Sequence, residues 1–341
     1  MKAKKQLFGT TSWGQRVNLF TLENKFISAS FSEYGAAVTS LGIKNNLGEV
    51  SDVVLGFSTL QGYVDNWGSF GSMVGPYANR IGGGCFELDN KIYQLQKNEK
   101  GNTLHGGFPG FDKRNWSGKL ICTLNGPAVQ FTLKLKDGEH GFPGNRKITV
   151  RYSIQHNRLY CEYFCTTDKP TVISLTNHSY FNLAGFGDVK NHLCKFECSK
   201  YLEVDQNLVP TGKLLDVKNT AFDFTNEKSV GKDLPLQNNG FDNFMVIDSF
   251  DNSTKLAATV TEPKSGRVMK VYTNQPGFQF YTANYIGGVR GKFGMRYNQN
   301  DGLCIETSNY PDAPNKKQFP TSVLRPGEKY FSQTIFEFIN Q

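Results

Sequence analysis

The residues best suited to chemistry fall in three short stretches: Asn177-His178-Ser179-Tyr180, Leu104-His105-Gly106-Gly107, and Leu303-Cys304-Ile305-Glu306 followed by Asn309-Tyr310-Pro311-Asp312. An imidazole with a pKa near 6.5 holds or loses a proton at neutral pH, so His178 is a candidate acid. Glu306 closes an apolar strand end, where desolvation raises a carboxyl pKa and suits it to act as a base. Taken alone, His178 reads more readily as a buried histidine satisfied by a carbonyl, His105 equally as a turn histidine, and Glu306 also as a carboxylate paired to an arginine. Together the stretches describe an acid and a base facing a small, neutral, hydroxyl-rich substrate. Trp67, Phe278 and Tyr281 are candidate faces for the C–H side of a sugar ring.

These groups need strands to hold them. Thr171 to Thr176 reads as a buried strand delivering His178. Val129–Lys136 and Lys147–Ile154 alternate strictly, as half-buried antiparallel strands do. Similar stretches recur at Phe26–Phe31, Ala37–Leu41, Arg158–Thr166, Leu193–Val204, Phe244–Asp248, Leu256–Thr261, Val268–Thr273, Gly277–Thr282 and Phe331–Phe338. Asp89-Asn90 reads as a hairpin turn, and Leu60–Asp65 as one short helical turn. Gly75 to Gly84 is too glycine-rich for a helix. It lacks the strand, helix and Gly-Lys-Ser/Thr context of a phosphate loop, so its use is to present Asn79 and Arg80. Asp242 follows Asn239-Gly240 as a turn aspartate does. No window of ten residues carries a 3.6-residue period, and no linker or repeat divides the chain. The expected fold is all-β: one large antiparallel β-sandwich domain spanning 1–341.

The 35 glycines, 27 phenylalanines and 15 tyrosines fit many short strands with tight turns. The formal charge of +8 is spread along the chain without arginine-rich runs interleaved with aromatics, which argues against nucleic acid. No apolar stretch of secretory-signal or membrane-span length occurs, so a cytoplasmic protein without membrane partners is expected. Seven cysteines suit reduced thiols. Cys161/Cys165 and Cys194/Cys198 sit in strand-like sequence, where four residues span about 13 Å, too far for one disulfide or one metal. They read as buried small hydrophobes, and no metal site is expected.

Longer motifs carry a resemblance. Gly75-Pro-Tyr-Ala-Asn-Arg-Ile-Gly82, Leu104-His-Gly-Gly107 with Gly110-Phe-Asp-Lys113 and Trp116, and Asp137 to Asn145 stand in order. Leu175-Thr-Asn-His-Ser-Tyr-Phe-Asn-Leu183, Pro276-Gly-Phe-Gln-Phe-Tyr-Thr282, Cys304-Ile-Glu306 with Pro311-Asp-Ala313, and Leu324-Arg-Pro-Gly-Glu328 follow. The chain resembles the galactose mutarotases, or aldose 1-epimerases, over nearly its whole length. The resemblance implies a mutarotase-like supersandwich that interconverts the α and β anomers of free hexoses, D-galactose and D-glucose, without a cofactor. Carried over, Glu306 takes the C1 hydroxyl proton and His178 protonates the ring oxygen, with His105 sharing the polarising role. Asn79, Arg80, Asp242 and Gln279 hold the other hydroxyls. A monomer or weak homodimer is expected.

Two departures stand out. Asp242-Asn243-Phe244 replaces the family's Asp-His-x-Phe, and Thr307-Ser308 follows Glu306 in place of Thr-Gln. The rival readings are a sugar-binding module without turnover and an epimerase of hexose 6-phosphates, the latter needing a second basic group near Arg80. A glycosidase would use paired carboxylates, whereas the donor here is a histidine.

Overall fold

The structure, a computed structural model, describes every residue of 1–341 except Asn239. The expected Asn239-Gly240 turn therefore lies partly outside the described residues. Three antiparallel sheets dominate: one of nine strands and two of five, joined by several two-stranded pairings. The nine-stranded sheet is built from the most strictly alternating sequence. Arg146–Gln155 pairs along its full length with Arg158–Thr167, burying Ile148, Val150, Tyr152 and Ile154 on one face.

A single cluster fills the space between sheets. It joins Phe20 and Phe31 of the N-terminal five-stranded sheet, Tyr152 of the nine-stranded sheet, and Phe278 and Phe280 of the third sheet. Phe31 stacks on Tyr152 with ring centroids 4.6 Å apart. Phe196 packs edge-on against Phe278 and Phe280 at 5.1 and 5.0 Å. Edge-to-face aromatic pairs of this kind add roughly 0.5–1.5 kcal/mol each beyond the area they bury.

The short elements fall where expected. Leu60–Asp65 forms one helix, its first turn capped by the Thr59 hydroxyl. Asp89 and Asn90 both adopt left-handed conformations, φ 50° and 59°, which a tight hairpin of this twist demands.

Two expected strands are each divided. Leu193–Val204 splits into Leu193–Phe196, paired within the nine-stranded sheet to Lys255–Glu262, and Lys200–Val204, paired to Pro210–Asp216 and Asp242–Val246 in the third sheet. The chain changes sheets at Glu197–Ser199, where the Asp248 carboxylate accepts from both the backbone N–H and the hydroxyl of Ser199. Thr171–Thr176 is likewise broken. Thr171–Val172 pairs with Val323–Leu324, and Thr176–Asn177 pairs with Met73–Val74. Between them Ser174 exchanges backbone bonds with Pro76 and Ala78. Ile173 N–H donates to the Ser322 carbonyl and Leu175 N–H to the Tyr330 hydroxyl, so this stretch is satisfied by several partners in turn.

Cys161, Cys165, Cys194 and Cys198 are buried in the central cluster as small apolar side chains. Among the described residues, no helix is long and apolar enough to cross a membrane.

Candidate active site

The third five-stranded sheet presents most of the polar groups, and its register explains how. Directly opposed residues of antiparallel strands point to the same face. Gln279 lies opposite Glu306 and Tyr281 opposite Cys304, while Tyr281 also lies opposite Asp242 on its other side. Asp242, Gln279, Tyr281, Cys304 and Glu306 therefore share one face. Phe278, Phe280, Met245 and Ile305 take the other face and enter the central core. Phe278 is thus a core residue and not the sugar face the sequence suggested. Gln279 donates to Asp242 at 2.6 Å, locking the amide and carboxylate together.

The register and hydrogen bonds also place the residues at the two departures from the family pattern. Asn243 lies opposite Phe280, away from the site face. The Thr307 hydroxyl is paired with Thr334, and the Ser308 hydroxyl donates to the Asn309 carbonyl at 3.0 Å. Neither change touches the Glu306 carboxylate.

The second wall comes from two loop segments pinned by a short pairing of Arg80–Ile81 with Thr103–Leu104. Asn79 and His105 flank this pairing in left-handed conformations, φ 63° and 54°. The His105 backbone N–H donates to the Asn79 carbonyl at 3.0 Å, and the Asn79 N–H donates to His105 Nδ1 at 3.1 Å. Nδ1 is thereby an acceptor, so a neutral His105 carries its proton on Nε2. Gly106 must be glycine. Its φ is 83°, and a Cβ there would stand 2.4 Å from the Gly75 carbonyl oxygen.

His178 completes the floor. Its backbone N–H donates to the Ser72 carbonyl at 2.9 Å. The ring lies against Tyr180 at 4.8 Å between centroids and meets His105 edge-on at 5.6 Å. Nε2 is 3.5 Å from Glu306 Oε1, and Nδ1 is 3.6 Å from Cys304 Sγ. Cys304 and Glu306, two residues apart on one strand, thus reach the two ring nitrogens of one imidazole.

Burial sets the electrostatics. It raises the Glu306 carboxyl well above the ordinary range, with the neighbouring Asp242 charge adding to it and Arg80 opposing it. Burial likewise raises Asp242, against the Arg80 charge and the Gln279 hydrogen bond. The His178 imidazolium is disfavoured by burial, down to about 4. Burial lowers His105 well below its ordinary value, the Arg80 charge and any charge on His178 adding to it. One proton shared by Glu306 and His178 therefore rests on the carboxyl, leaving both groups uncharged.

All seven residues singled out from the sequence, Asn79, Arg80, His105, His178, Asp242, Gln279 and Glu306, line one pocket of about 580 Å³ that includes some open solvent. Trp67 and Tyr281 line it too. Tyr180, the last of the polar run Asn177–Tyr180, lies on its wall as well; sequence reasoning missed Tyr285 and Glu99, which grips Arg80 from behind. The donor atoms of His105, His178 and Glu306 lie within 4.8 Å of one another, the one such His/Cys/Asp/Glu cluster among the described residues. That spacing fits a cation as well as the two oxygens of a hemiacetal.

A supersandwich that buries a histidine–glutamate pair in a polar pocket lined by amides, carboxyls, a guanidinium and tyrosines has the form of an acid–base sugar isomerase. Residues 18–337 match the sequence model of the aldose 1-epimerase family, and the chain belongs to that family. It is similar to the galactose mutarotase of Rattus norvegicus, 43% identical over 96% of this chain and 95% of the other. The aldose 1-epimerase of Escherichia coli is 35% identical over 96% of both chains. Among solved structures, the galactose 1-epimerase of Lactobacillus acidophilus superposes with a TM-score of 0.87, covering 99% of each chain at 26% identity. A GalM/aldose epimerase homologue from C. elegans superposes at 0.85, covering 93% of this chain and 97% of its own at 32% identity.

Proposed function

We propose that this chain is an aldose 1-epimerase that interconverts the α and β anomers of free hexoses, D-galactose and D-glucose, by opening and reclosing the ring. The observation that carries the reading is the 3.5 Å approach of His178 Nε2 to Glu306 Oε1 inside a pocket walled by amides, one guanidinium and tyrosines.

Opening a hemiacetal removes the proton on the C1 hydroxyl and adds one to the ring oxygen. Glu306 as carboxylate takes the first, and His178 as imidazolium gives the second. The C1 oxygen becomes the aldehyde, C1–C2 rotates, and reclosure runs the same transfers backwards to the other anomer. Positioned acid and base groups of this kind contribute typically about 10²–10⁴-fold. Before opening, the pair is a carboxylate and an imidazolium; afterwards, it is a carboxylic acid and a neutral imidazole. Both states hold one proton. Burial favours the uncharged state, so in the free site the proton rests on Glu306, and opening starts from the minority ion-pair arrangement of that same single proton. His105 supports this from the side, its Nε2–H free to donate to the C1 oxygen. Asn79, Arg80, Asp242 and Gln279 supply donors and acceptors for the remaining hydroxyls.

The test is polarimetry on freshly dissolved α-D-galactose. The rotation should relax at a rate proportional to protein concentration. Relaxation no faster than buffer would leave a sugar-binding module in its place.

Two further results are expected. Arg80→Ala removes hydroxyl donors that serve ground state and transition state alike, so KM should rise about tenfold or more with kcat within a few-fold. Steady-state rates against galactose concentration check this, and an unchanged KM would remove Arg80 from the binding set. The second concerns pH. Activity needs one proton on the pair, so kcat/KM should fall below about pH 4, where His178 also protonates. It should fall again on the alkaline side, through a value raised above the usual carboxylate range, where the last proton leaves Glu306. A histidine and glutamate at their ordinary values would place the alkaline limb near pH 6.5.

The whole of 1–341 is proposed to act as one domain, a monomer or weak homodimer in the cytoplasm; light scattering across a concentration series checks the assembly state.

A further inference from the structure

Arg80 does not face the pocket as a free cation. Its Nε donates to Glu99 Oε2 at 3.2 Å and its terminal nitrogen to Oε1 at 3.3 Å, a two-point grip. The two side chains are 8% and 22% exposed, so water does little to dilute their attraction. Glu99 does not itself line the pocket. It stands behind Arg80, on a turn closed by backbone bonds between Glu99 and Asn102. Two of the guanidinium's five N–H bonds are thereby committed, and the other three can serve hydroxyl oxygens.

The rest of the pocket carries no second cation. Among the described residues Arg80 is the one lysine or arginine on its wall, whereas Asp242 and Glu306 both line it. Asp242 lies within electrostatic reach of Arg80 and of Glu99. A chain of formal charge +8 therefore offers its substrate N–H donors with the accompanying positive charge already answered.

The geometry points to Glu99 as a specificity-determining residue. By holding Arg80 at two atoms it makes the guanidinium a donor for neutral hydroxyls and closes the pocket to hexoses that carry a carboxylate or phosphate. This rests on the free-hexose reading above and deepens it. Glu99 acts through Arg80 as a positioning residue. Without it, the two N–H bonds of Arg80 held by Glu99 are released while Asp242 and Glu306 remain within its electrostatic reach, so the guanidinium can grip an anion in place of Glu99.

The test compares the full-length protein with Glu99→Gln and Glu99→Asp. KM and kcat are measured on α-D-galactose, and galacturonate and galactose 6-phosphate are titrated as competitive inhibitors. In the parent protein both anions should bind at least about tenfold more weakly than galactose. In Glu99→Gln the ratio of anion Ki to galactose KM should fall about tenfold, more at low ionic strength, with kcat changed only a few-fold. Glu99→Asp keeps the charge and should keep the rejection, which separates specificity from a general loss of packing. An unchanged ratio in Glu99→Gln overturns the assignment, as does a rise in KM that weakens neutral and anionic sugars equally. Calorimetric titration of galactose and galacturonate gives the same ratio without turnover. A protein that binds sugars but fails the polarimetric assay would therefore contradict the proposed function and still decide the role of Glu99.

Discussion

Glu306→Gln should lower kcat on α-galactose by about 10²–10⁴-fold while leaving KM little changed. Glutamine matches the shape of the carboxylate and still offers an oxygen to a hydroxyl, but it cannot take a proton. The loss should not come from unfolding. The Glu306 carboxyl is raised above its ordinary 4.5 in the folded protein, so the folded state binds this proton more tightly than the unfolded chain does. The stability it contributes is complete below about pH 4.5 and is lost as pH rises through the folded value. At neutral pH the amide should therefore leave the melting temperature equal or higher. A near-normal kcat, or a lowered melting temperature that accounts for the loss, would remove Glu306 from the role of base.

His178→Asn should act with similar size on kcat and for a complementary reason. The amide can donate a hydrogen bond to the ring oxygen but cannot transfer a proton to it. His105 is too constrained to substitute fully, since Nδ1 is committed to the Asn79 N–H and burial keeps the ring neutral. The distinguishing sign is in the pH profile. The acid limb near pH 4 belongs to His178, so residual activity in the variant should not show it. Persistence of that limb would assign it to another group.

Much of this site was legible in the sequence because its chemistry is local. His178 and His105 sit in runs whose neighbours are polar or glycine, and Glu306 interrupts an apolar strand. The strictly alternating strands were legible for the same reason: a period of two is written in adjacent residues. Leu193–Val204 was not, because the step from one sheet to another at Glu197–Ser199 is fixed by Asp248, far along the chain. Which of Phe278 and Tyr281 faces the sugar was also open. Their opposite parity was visible, but which parity faces the pocket follows from the pairing of Gln279 with Glu306. Glu99 was invisible for a third reason. It lies in an exposed-looking turn, and its worth comes from a side-chain contact with Arg80 that no spacing rule encodes.

The central claim is that Glu306 and His178 form one proton-sharing unit at a single hemiacetal, and a double-mutant cycle reads this directly. Groups that act as a unit lose their effect together, so the Glu306→Gln/His178→Asn protein should be no slower on α-galactose than the slower single variant. Losses that multiply, bringing the double variant down by the product of the two single effects, would mean that the two side chains act independently and would contradict the account.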